Sequence, residues 1–251
     1  MFIEYKGKNF YYELIKAKKE IDKCIYFFHG WGGSVTSFKR IISQLGDKIN
    51  IVNIDFWGFG SSSMPNSDWN LNDYIAPILK IMALNNYSEN YCVAHSFGGR
   101  VAIKLAINIE SKLKKIVLID SAGLMPKFNI KKWIKIKTYK LKKQLFKMNL
   151  IKKEKLYKYG SKDYKEMPNE IKSVFNKIIQ EDLKKYALNI NIPTLIIWGE
   201  KDKDTPVYMA KKLNKLIKDS GLIIFEKAGH FSYLERELDT VSILKNFLLE
   251  D

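Results

Sequence analysis

Residues 93–99 read Val-Ala-His-Ser-Phe-Gly-Gly. A strand-like run, 91–94, leads into this stretch, and a helix-like run, 97–109, leads out of it. A serine at a sharp strand-to-helix turn between small residues is lifted clear of a sheet, where its hydroxyl can attack a substrate. The pattern therefore predicts that Ser96 is a nucleophile.

A serine hydroxyl needs a base to take its proton, and the chain contains three histidines. His95 directly precedes Ser96, so its side chain should not fold back onto the hydroxyl. His29 ends a strand-like run before Gly30, where its ring is better placed to hold the following loop. His230 follows the last strand-like run in a glycine-led loop that can bring the imidazole over the sheet edge. By elimination we predict that His230 is the base.

The histidine in turn needs an acid that fixes its tautomer and stabilises the imidazolium. Three aspartates stand near strand ends: Asp120, Asp202 and Asp204. Each has an ordinary alternative as a helix cap or a loop ion-pair partner. We favour Asp202, in the loop after the seventh strand-like run, and keep Asp120 and Asp204 as alternatives.

An acyl-transfer site also needs backbone N–H groups aimed at the developing oxyanion. The N–H of Phe97, directly after the nucleophile at a helix start, is one candidate. The loop 29–33, His-Gly-Trp-Gly-Gly, can curl close to the site, and the Trp31 N–H is the predicted second donor. The chain has no P-loop lysine spacing and no GxGxxG, so we expect no nucleotide and no other cofactor.

Length and composition favour a single soluble domain with an insertion. The chain has 251 residues, of which 46% are hydrophobic and 13% aromatic. No apolar run has the length of a membrane span, and the first residues do not form a signal peptide, so we expect a cytoplasmic protein. The two cysteines, Cys24 and Cys92, lie in separate strand-like runs. We expect them to be buried thiols and expect no metal site.

The order of the elements predicts an α/β protein. A hairpin signal at 6–9 joins the first two strand-like runs, and later strands alternate with helices as in a buried parallel sheet. The predicted strands are 2–5, 10–15, 24–28, 49–55, 91–94, 116–120, 194–198 and 222–225. The predicted helices are 35–45, 71–84, 97–109, 207–218 and 234–249.

Residues 124–190 break this alternation and are called the cap segment below. They show no convincing strand, and apolar residues recur among lysines at helical spacing. We predict a helical, lysine-rich cap inserted into a core made of residues 1–123 and 191–251. Pro193 marks the return to the sheet.

The net charge of +16 is concentrated in the cap segment, which holds 19 lysines and 6 acidic residues. The simplest interpretation is a solvated helical face. Alternatives are attraction of an anionic substrate or of an acidic carrier protein, and contact with an anionic membrane surface. Nucleic-acid binding is disfavoured, because no recognised motif occurs and only three arginines are present in the chain. The oligomeric state is not readable from the sequence.

Together these motifs resemble the α/β-hydrolase superfamily over nearly the whole chain. The matching segments are 29–33, 55–61, 94–98, Asp202 and 229–230. The resemblance implies an eight-stranded, mostly parallel sheet with a helical cap, and a triad of Ser96, Asp202 and His230. Two positions depart from the family pattern. Ala94 replaces the first glycine of the nucleophile turn, where one methyl should be tolerated, and Trp57 replaces a common arginine.

The resemblance implies a serine hydrolase that cleaves a carboxylic ester, or a related acyl bond, of a small molecule. The loop 30–32 is similar to esterases that act on a methyl ester of pimeloyl-carrier protein, and 120–124 is similar to meta-cleavage carbon–carbon hydrolases. A carbon–carbon hydrolase and a ligand sensor without significant turnover are the alternatives. A serine nucleophile argues against the dehalogenase and epoxide-hydrolase branches, which use a carboxylate.

Overall fold

The computed structural model describes residues 1–108, 111–126 and 168–250, together with residues 138, 142, 146 and 148. Within them, eight strands form a single sheet in the order β1-β2-β4-β3-β5-β6-β7-β8. The strands are β1 (Phe2–Tyr5), β2 (Lys8–Ile15), β3 (Lys23–Phe28), β4 (Asn50–Ile54), β5 (Glu89–His95), β6 (Leu113–Ile119), β7 (Thr194–Gly199) and β8 (Ser220–Phe225).

The sheet is parallel except at its first edge. The pairs β1·β2 and β2·β4 are antiparallel, and every later neighbouring pair is parallel. The predicted hairpin forms at Lys6 and Gly7, whose φ values of 50° and 72° suit a tight two-residue turn. The predicted α/β fold with an eight-stranded, mostly parallel sheet is therefore confirmed.

Helices cover both faces of this sheet. They are α1 (Lys39–Leu45), α2 (Leu71–Asn85), α3 (Phe97–Leu105), α4 (Asn169–Ile178), α5 (Lys184–Leu188), α6 (Tyr208–Leu216), α7 (Ser232–Glu235) and α8 (Glu237–Leu249), and a 3-10 turn at Val35–Phe38 precedes α1. The predicted helix 234–249 is broken, because Arg236 leaves the helical region at φ −123° and ψ 52°. No described helix is both long enough and apolar enough to span a bilayer.

The core is divided between the two faces by the alternation of side chains along each strand. In β3, Tyr26 and Phe28 face the layer that contains α2, α3 and α6, whereas Ile25 and Phe27 face the layer that contains α1 and α8. All four side chains are fully buried. Because both faces are covered, the central strands contain continuous apolar runs, such as 24–28 in β3 and 116–119 in β6.

The predicted cap segment, 124–190, lies largely outside the described residues, so the cap and the domain boundaries stay predictions. Its described end contains α4 and α5. The Phe175 ring of α4 lies 4.5 Å from the ring of Trp31. Arg100 of α3, which is 4% exposed, donates hydrogen bonds to the carbonyl oxygens of Ile178 and Glu181. This buried guanidinium therefore anchors the carboxyl end of α4 to the helix that follows Ser96.

Gly98 allows α3 to pack directly on β3. A Cβ atom at Gly98 would overlap the carbonyl oxygen of Phe28, which is backbone and cannot turn away. We expect Gly98→Ala to lower the free energy of unfolding by about 1–3 kcal/mol, measured by urea denaturation. Gly221→Ala is the matched control, because the nearest atom to its Cβ would be Leu195 Cδ1 at 3.6 Å. Equal stability of the two variants would contradict the packing argument.

Candidate active site

Ser96 occupies the sharp turn between β5 and α3. Its backbone is held at φ 49° and ψ −111°, in a region that non-glycine residues rarely adopt. Hydrogen bonds fix this geometry: the Ser96 N–H donates to Ile119 O at 3.0 Å, and Ser96 O accepts from Gly99 N at 3.0 Å and Ala122 N at 2.9 Å. Ala94, the departure from the family pattern, is fully buried in β5 and causes no break in the strand. The turn presents the Ser96 hydroxyl at the carboxyl edge of the sheet.

His230 contacts Ser96 from the loop after β8. Its Nε2 lies 2.9 Å from Ser96 Oγ, and its Nδ1 lies 2.8 Å from Asp202 Oδ2. A carboxylate only accepts, so Nδ1 carries the proton and Nε2 is left to accept the serine hydroxyl. Burial alone would lower the pKa of His230, but the hydrogen bond and charge of Asp202 outweigh it and hold that pKa above 6.5.

Asp202 is saturated with hydrogen-bond donors. Its Oδ1 accepts from the N–H groups of Asp204 at 2.8 Å and Thr205 at 2.9 Å, and its Oδ2 accepts from Thr205 Oγ1 at 2.7 Å as well as from His230. Burial tends to raise the pKa of Asp202, yet the bonds from His230 and Thr205 bring it below its usual value. The side chain is therefore a carboxylate that orients the imidazole.

The two alternative aspartates lie elsewhere. The Asp204 side chain is exposed, and the backbone N–H of this residue donates a hydrogen bond to Asp202 Oδ1. Asp120 is fully buried, and its Oδ2 accepts from Ser232 Oγ at 2.6 Å rather than from His230. Of the three aspartates that the sequence offered, the structure thus brings Asp202 to the histidine.

The other two histidines bind backbone groups. His29 Nε2 accepts from Phe56 N at 3.0 Å, and its Nδ1 donates to Gly30 O at 2.7 Å. The His95 Nε2 lies 2.7 Å from His230 O. Burial lowers the pKa of His29 to about 4 and that of His95 to about 3, so both are neutral near pH 7. His95 also holds the backbone of His230, a contact that the sequence did not reveal.

The candidate oxyanion donors lie on the two segments that flank Ser96. Phe97 is the first residue of α3, so its N–H has no acceptor one turn earlier in the helix. The Trp31 loop runs directly beside Ser96, because a Cβ atom at Gly30 would lie 3.3 Å from Ser96 Cβ. The Trp31 and Phe97 rings are 5.0 Å apart, which ties the two segments together.

Aromatic rings form a wall next to these donors. The Trp31 ring lies 4.9 Å from Phe59, 5.0 Å from Phe97 and 4.5 Å from Phe175 between ring centroids. Trp57, the second departure from the family pattern, instead turns into the core, where its Nε1 donates to Asp73 O at 2.9 Å. The site therefore offers an apolar aromatic surface beside the serine.

Three residues of the site offer atoms of the kind that hold a metal ion. Ligand atoms of Asp202, Asp204 and His230 lie within 4.8 Å of one another. The Asp202 oxygens and His230 Nδ1 already hydrogen-bond each other and Thr205. These bonds account for the arrangement without a metal, and we assign none.

Two residues of this arrangement, Thr205 and Ser232, were not predicted from the sequence. Thr205 follows Asp202 by three positions, and an Asp-x-x-Thr spacing is a signal for a side-chain-capped turn that could have identified it. Ser232 gave no local signal, because its partner Asp120 is 112 residues away. Such long-range partners become visible only once the strands are placed side by side.

Comparisons with known proteins identify the family and similar folds. A family model described as alpha/beta hydrolase fold matches residues 23–145 and 140–237. Lipase 1 from Psychrobacter immobilis is 28% identical over 246 residues, which cover 89% of this chain and 76% of that protein. An esterase from Exiguobacterium antarcticum has a similar structure, with a TM-score of 0.77 at 19% identity and 99% coverage of both chains. A meta-cleavage product hydrolase from Pseudomonas fluorescens IP01 has a TM-score of 0.74 at 19% identity, covering 100% of this chain and 97% of that chain.

Proposed function

Since the chain belongs to the α/β-hydrolase fold family, we propose that this hydrolase cleaves a carboxylic ester of a small molecule through an acyl-enzyme on Ser96. The observation that carries the proposal is the unbroken hydrogen-bond chain from Ser96 Oγ through both ring nitrogens of His230 to Asp202. This is the arrangement that an activated serine nucleophile requires.

The proposed reaction follows from the tautomer of His230. Ser96 Oγ attacks the ester carbonyl carbon while its proton passes to His230 Nε2. Asp202 stabilises the imidazolium through Nδ1, and the proton on Nε2 then passes to the leaving alcohol as the acyl-enzyme forms. Water enters, gives a proton to Nε2 and attacks the acyl carbon, and that proton returns to Ser96 as the acid leaves.

We assign the oxyanion to the backbone N–H groups of Trp31 and Phe97. Donors fixed before the reaction need no reorganisation when negative charge develops on the carbonyl oxygen. The aromatic wall of Trp31, Phe59, Phe97 and Phe175 favours an apolar acyl or alcohol group, because burying such a group against rings releases water from both surfaces.

An anionic substrate, or one held by an acidic carrier protein, stays part of the proposal. The 19 lysines of the cap segment are its sequence basis. Most of that segment lies outside the described residues.

Turnover of a chromogenic ester series tests the function. We expect the wild-type protein to hydrolyse p-nitrophenyl esters of acyl chains from acetyl to decanoyl faster than Ser96→Ala does. A 2-hydroxy-6-keto-dienoate assayed in parallel probes carbon–carbon cleavage by the same serine. Faster turnover of the dienoate than of every ester would replace the ester proposal with the carbon–carbon one. Equal inactivity of wild type and Ser96→Ala on all these substrates would remove most of the support for an enzyme and favour the ligand sensor.

The acid side of the pH profile reports His230 as the base, in a range where Asp120, whose pKa burial raises to about 7, also titrates. The base must be neutral to accept the Ser96 proton, and Asp202 raises the pKa of His230 above its ordinary 6.5. We therefore expect kcat/KM to fall as the pH drops through a value above 6.5, because protonated His230 cannot act as the base. The pKa values of His29 and His95, about 4 and about 3, keep those residues out of this range. Activity that stays constant from pH 8 to pH 5 would contradict His230 as the base.

A further inference from the structure

Asp120 is a buried acid that the proposed reaction does not use. It follows β6, has no exposed surface, and holds φ 45°. Its Oδ1 accepts from Gly199 N at 2.8 Å, and its Oδ2 accepts from Ser232 N at 3.1 Å and Ser232 Oγ at 2.6 Å. All of these donors are neutral groups.

Each partner of Asp120 belongs to a segment that carries one member of the triad. Gly199 ends β7 and begins the loop that contains Asp202, and Ser232 follows His230 by two residues. The carbonyl oxygen of Asp120 lies 2.9 Å from Thr205 Oγ1, the same hydroxyl that lies 2.7 Å from Asp202 Oδ2. Asp120 therefore joins the loop of the acid to the loop of the base.

The groups around this carboxyl are all donors, so the position suits a carboxylate, which only accepts, better than a neutral amide. A buried carboxylate without a cationic partner nevertheless costs free energy. Burial raises the pKa of Asp120 to about 7 despite the donors from Ser232 and Gly199. The charge is thus retained at a cost, and the nearby group that gains from it is the imidazolium of His230.

The other charged and titratable neighbours do not replace the effect of the Asp120 charge on the His230 imidazolium. Those that face Asp120 and His230 within the described residues are His95 at the end of β5, Asp202 and Asp204 in the loop after β7, and Tyr233 in α7. His95 and Tyr233 are neutral near pH 7, because burial lowers the pKa of the first and raises that of the second. The exposed charge of Asp204 is screened by water.

We propose that Asp120 is a positioning residue that fixes the loops of Asp202 and His230 and whose carboxylate stabilises the His230 imidazolium formed during acyl transfer. The inference rests on the proposed serine-hydrolase function. Asp120 takes no proton in the reaction. The Ser96 proton moves to His230 Nε2 and onward to the leaving alcohol, while Asp120 stays ionised.

Asp120→Asn tests this role, because it removes the charge at nearly the same side-chain volume. Its amide nitrogen cannot accept from the loops as the carboxylate does, so the position of the acid limb, and not kcat alone, reports the charge. We expect kcat on the alkaline plateau to fall about tenfold with KM within about twofold, since one charge acts on the imidazolium at an intermediate dielectric. Without the carboxylate the pKa of His230 falls, so the acid limb of kcat/KM should move to lower pH. It should also become less steep, because two groups titrate in the wild type and one in the variant.

The pH dependence of stability reports the ionisation of Asp120. The pKa of Asp120 in the folded protein, about 7, lies above its ordinary 3.8, so stability is lost as the pH rises from 3.8 through 7 and the buried acid ionises. The Asn variant has no acid to ionise at this position. We therefore expect its urea midpoint to fall less than that of the wild type between pH 5 and pH 8.

Asp73→Asn is the matched control, because Asp73 is a buried acid at the start of α2, where its Oδ2 accepts from Asn70 N at 2.9 Å. Asp73→Asn should lower the free energy of unfolding and leave the acid limb of kcat/KM at the wild-type pH. An Asp120→Asn variant with unchanged kcat, or with reduced kcat and an unmoved acid limb, overturns the inference while Ser96→Ala still abolishes turnover. Retained turnover in Ser96→Ala would instead overturn the proposed function itself.

Discussion

Replacing Ser96 by Ala is expected to lower kcat for ester hydrolysis by on the order of a thousandfold or more. The alanine keeps the turn but removes the atom that lies 2.9 Å from His230 Nε2, so no acyl-enzyme can form. The residual rate would come from the oxyanion donors and from substrate binding. Steady-state turnover of the best p-nitrophenyl ester measures the effect.

Ser111→Ala is the matched control for this experiment. Ser111 is also buried, but it precedes β6 at the opposite edge of the sheet, where its hydroxyl donates to Asn108 O at 2.7 Å. Its loss should affect stability and leave kcat near the wild-type value. If Ser96→Ala keeps more than about a tenth of the wild-type kcat, Ser96 is not the nucleophile.

Replacing Asp202 by Asn is expected to lower kcat by a similar factor, on the order of a thousandfold or more. An amide nitrogen that faces Nδ1 would donate to it and so place the imidazole proton on Nε2, where it blocks transfer from Ser96. The fourfold hydrogen bonding of the carboxylate would also be disturbed, because Thr205 and Asp204 donate to it as well. Single-turnover kinetics with the same ester would show the loss in the acylation step.

The neighbouring acids supply the comparison. Asp204→Asn should be close to wild type, because the backbone N–H of residue 204 is retained and its side chain is exposed. The kcat of Asp120→Asn should lie between those of Asp202→Asn and Asp204→Asn. A silent Asp202→Asn together with a severe Asp204→Asn or Asp120→Asn would reassign the acid.

The fold was predictable because its signals are local. Alternating apolar residues and turn residues located the eight strands, and the small residues around Ser96 located the turn after β5. The hairpin at Lys6 and Gly7 was predictable for the same reason, since a two-residue turn needs positive φ values. Interruptions within helices were not predictable from the sequence. The helix breaks at Arg236, shortly after Ser232 at the start of α7, whose hydroxyl donates to Asp120 from the segment that follows β6.

The three side chains of the candidate triad could be predicted from the sequence, whereas the residues that hold them in place could not. The order of Ser96, Asp202 and His230 along the chain could be inferred from strand ends, and the structure brings these three side chains together. The hydrogen bonds of Asp120 to Ser232 and of His95 to the His230 carbonyl join residues more than 100 positions apart. Such contacts depend on the register of β5, β6 and β7, which periodicity alone does not determine.

Covalent labelling shows directly whether Ser96 is an activated nucleophile. A fluorophosphonate reacts with a serine only when a neighbouring base activates it, and peptide mass spectrometry then identifies the modified residue. We expect one adduct on Ser96 in the wild-type protein, its loss in His230→Ala, and its retention in Ser111→Ala. Folded wild-type protein that stays unlabelled, or that carries the label on another residue, would contradict Ser96 as the activated nucleophile.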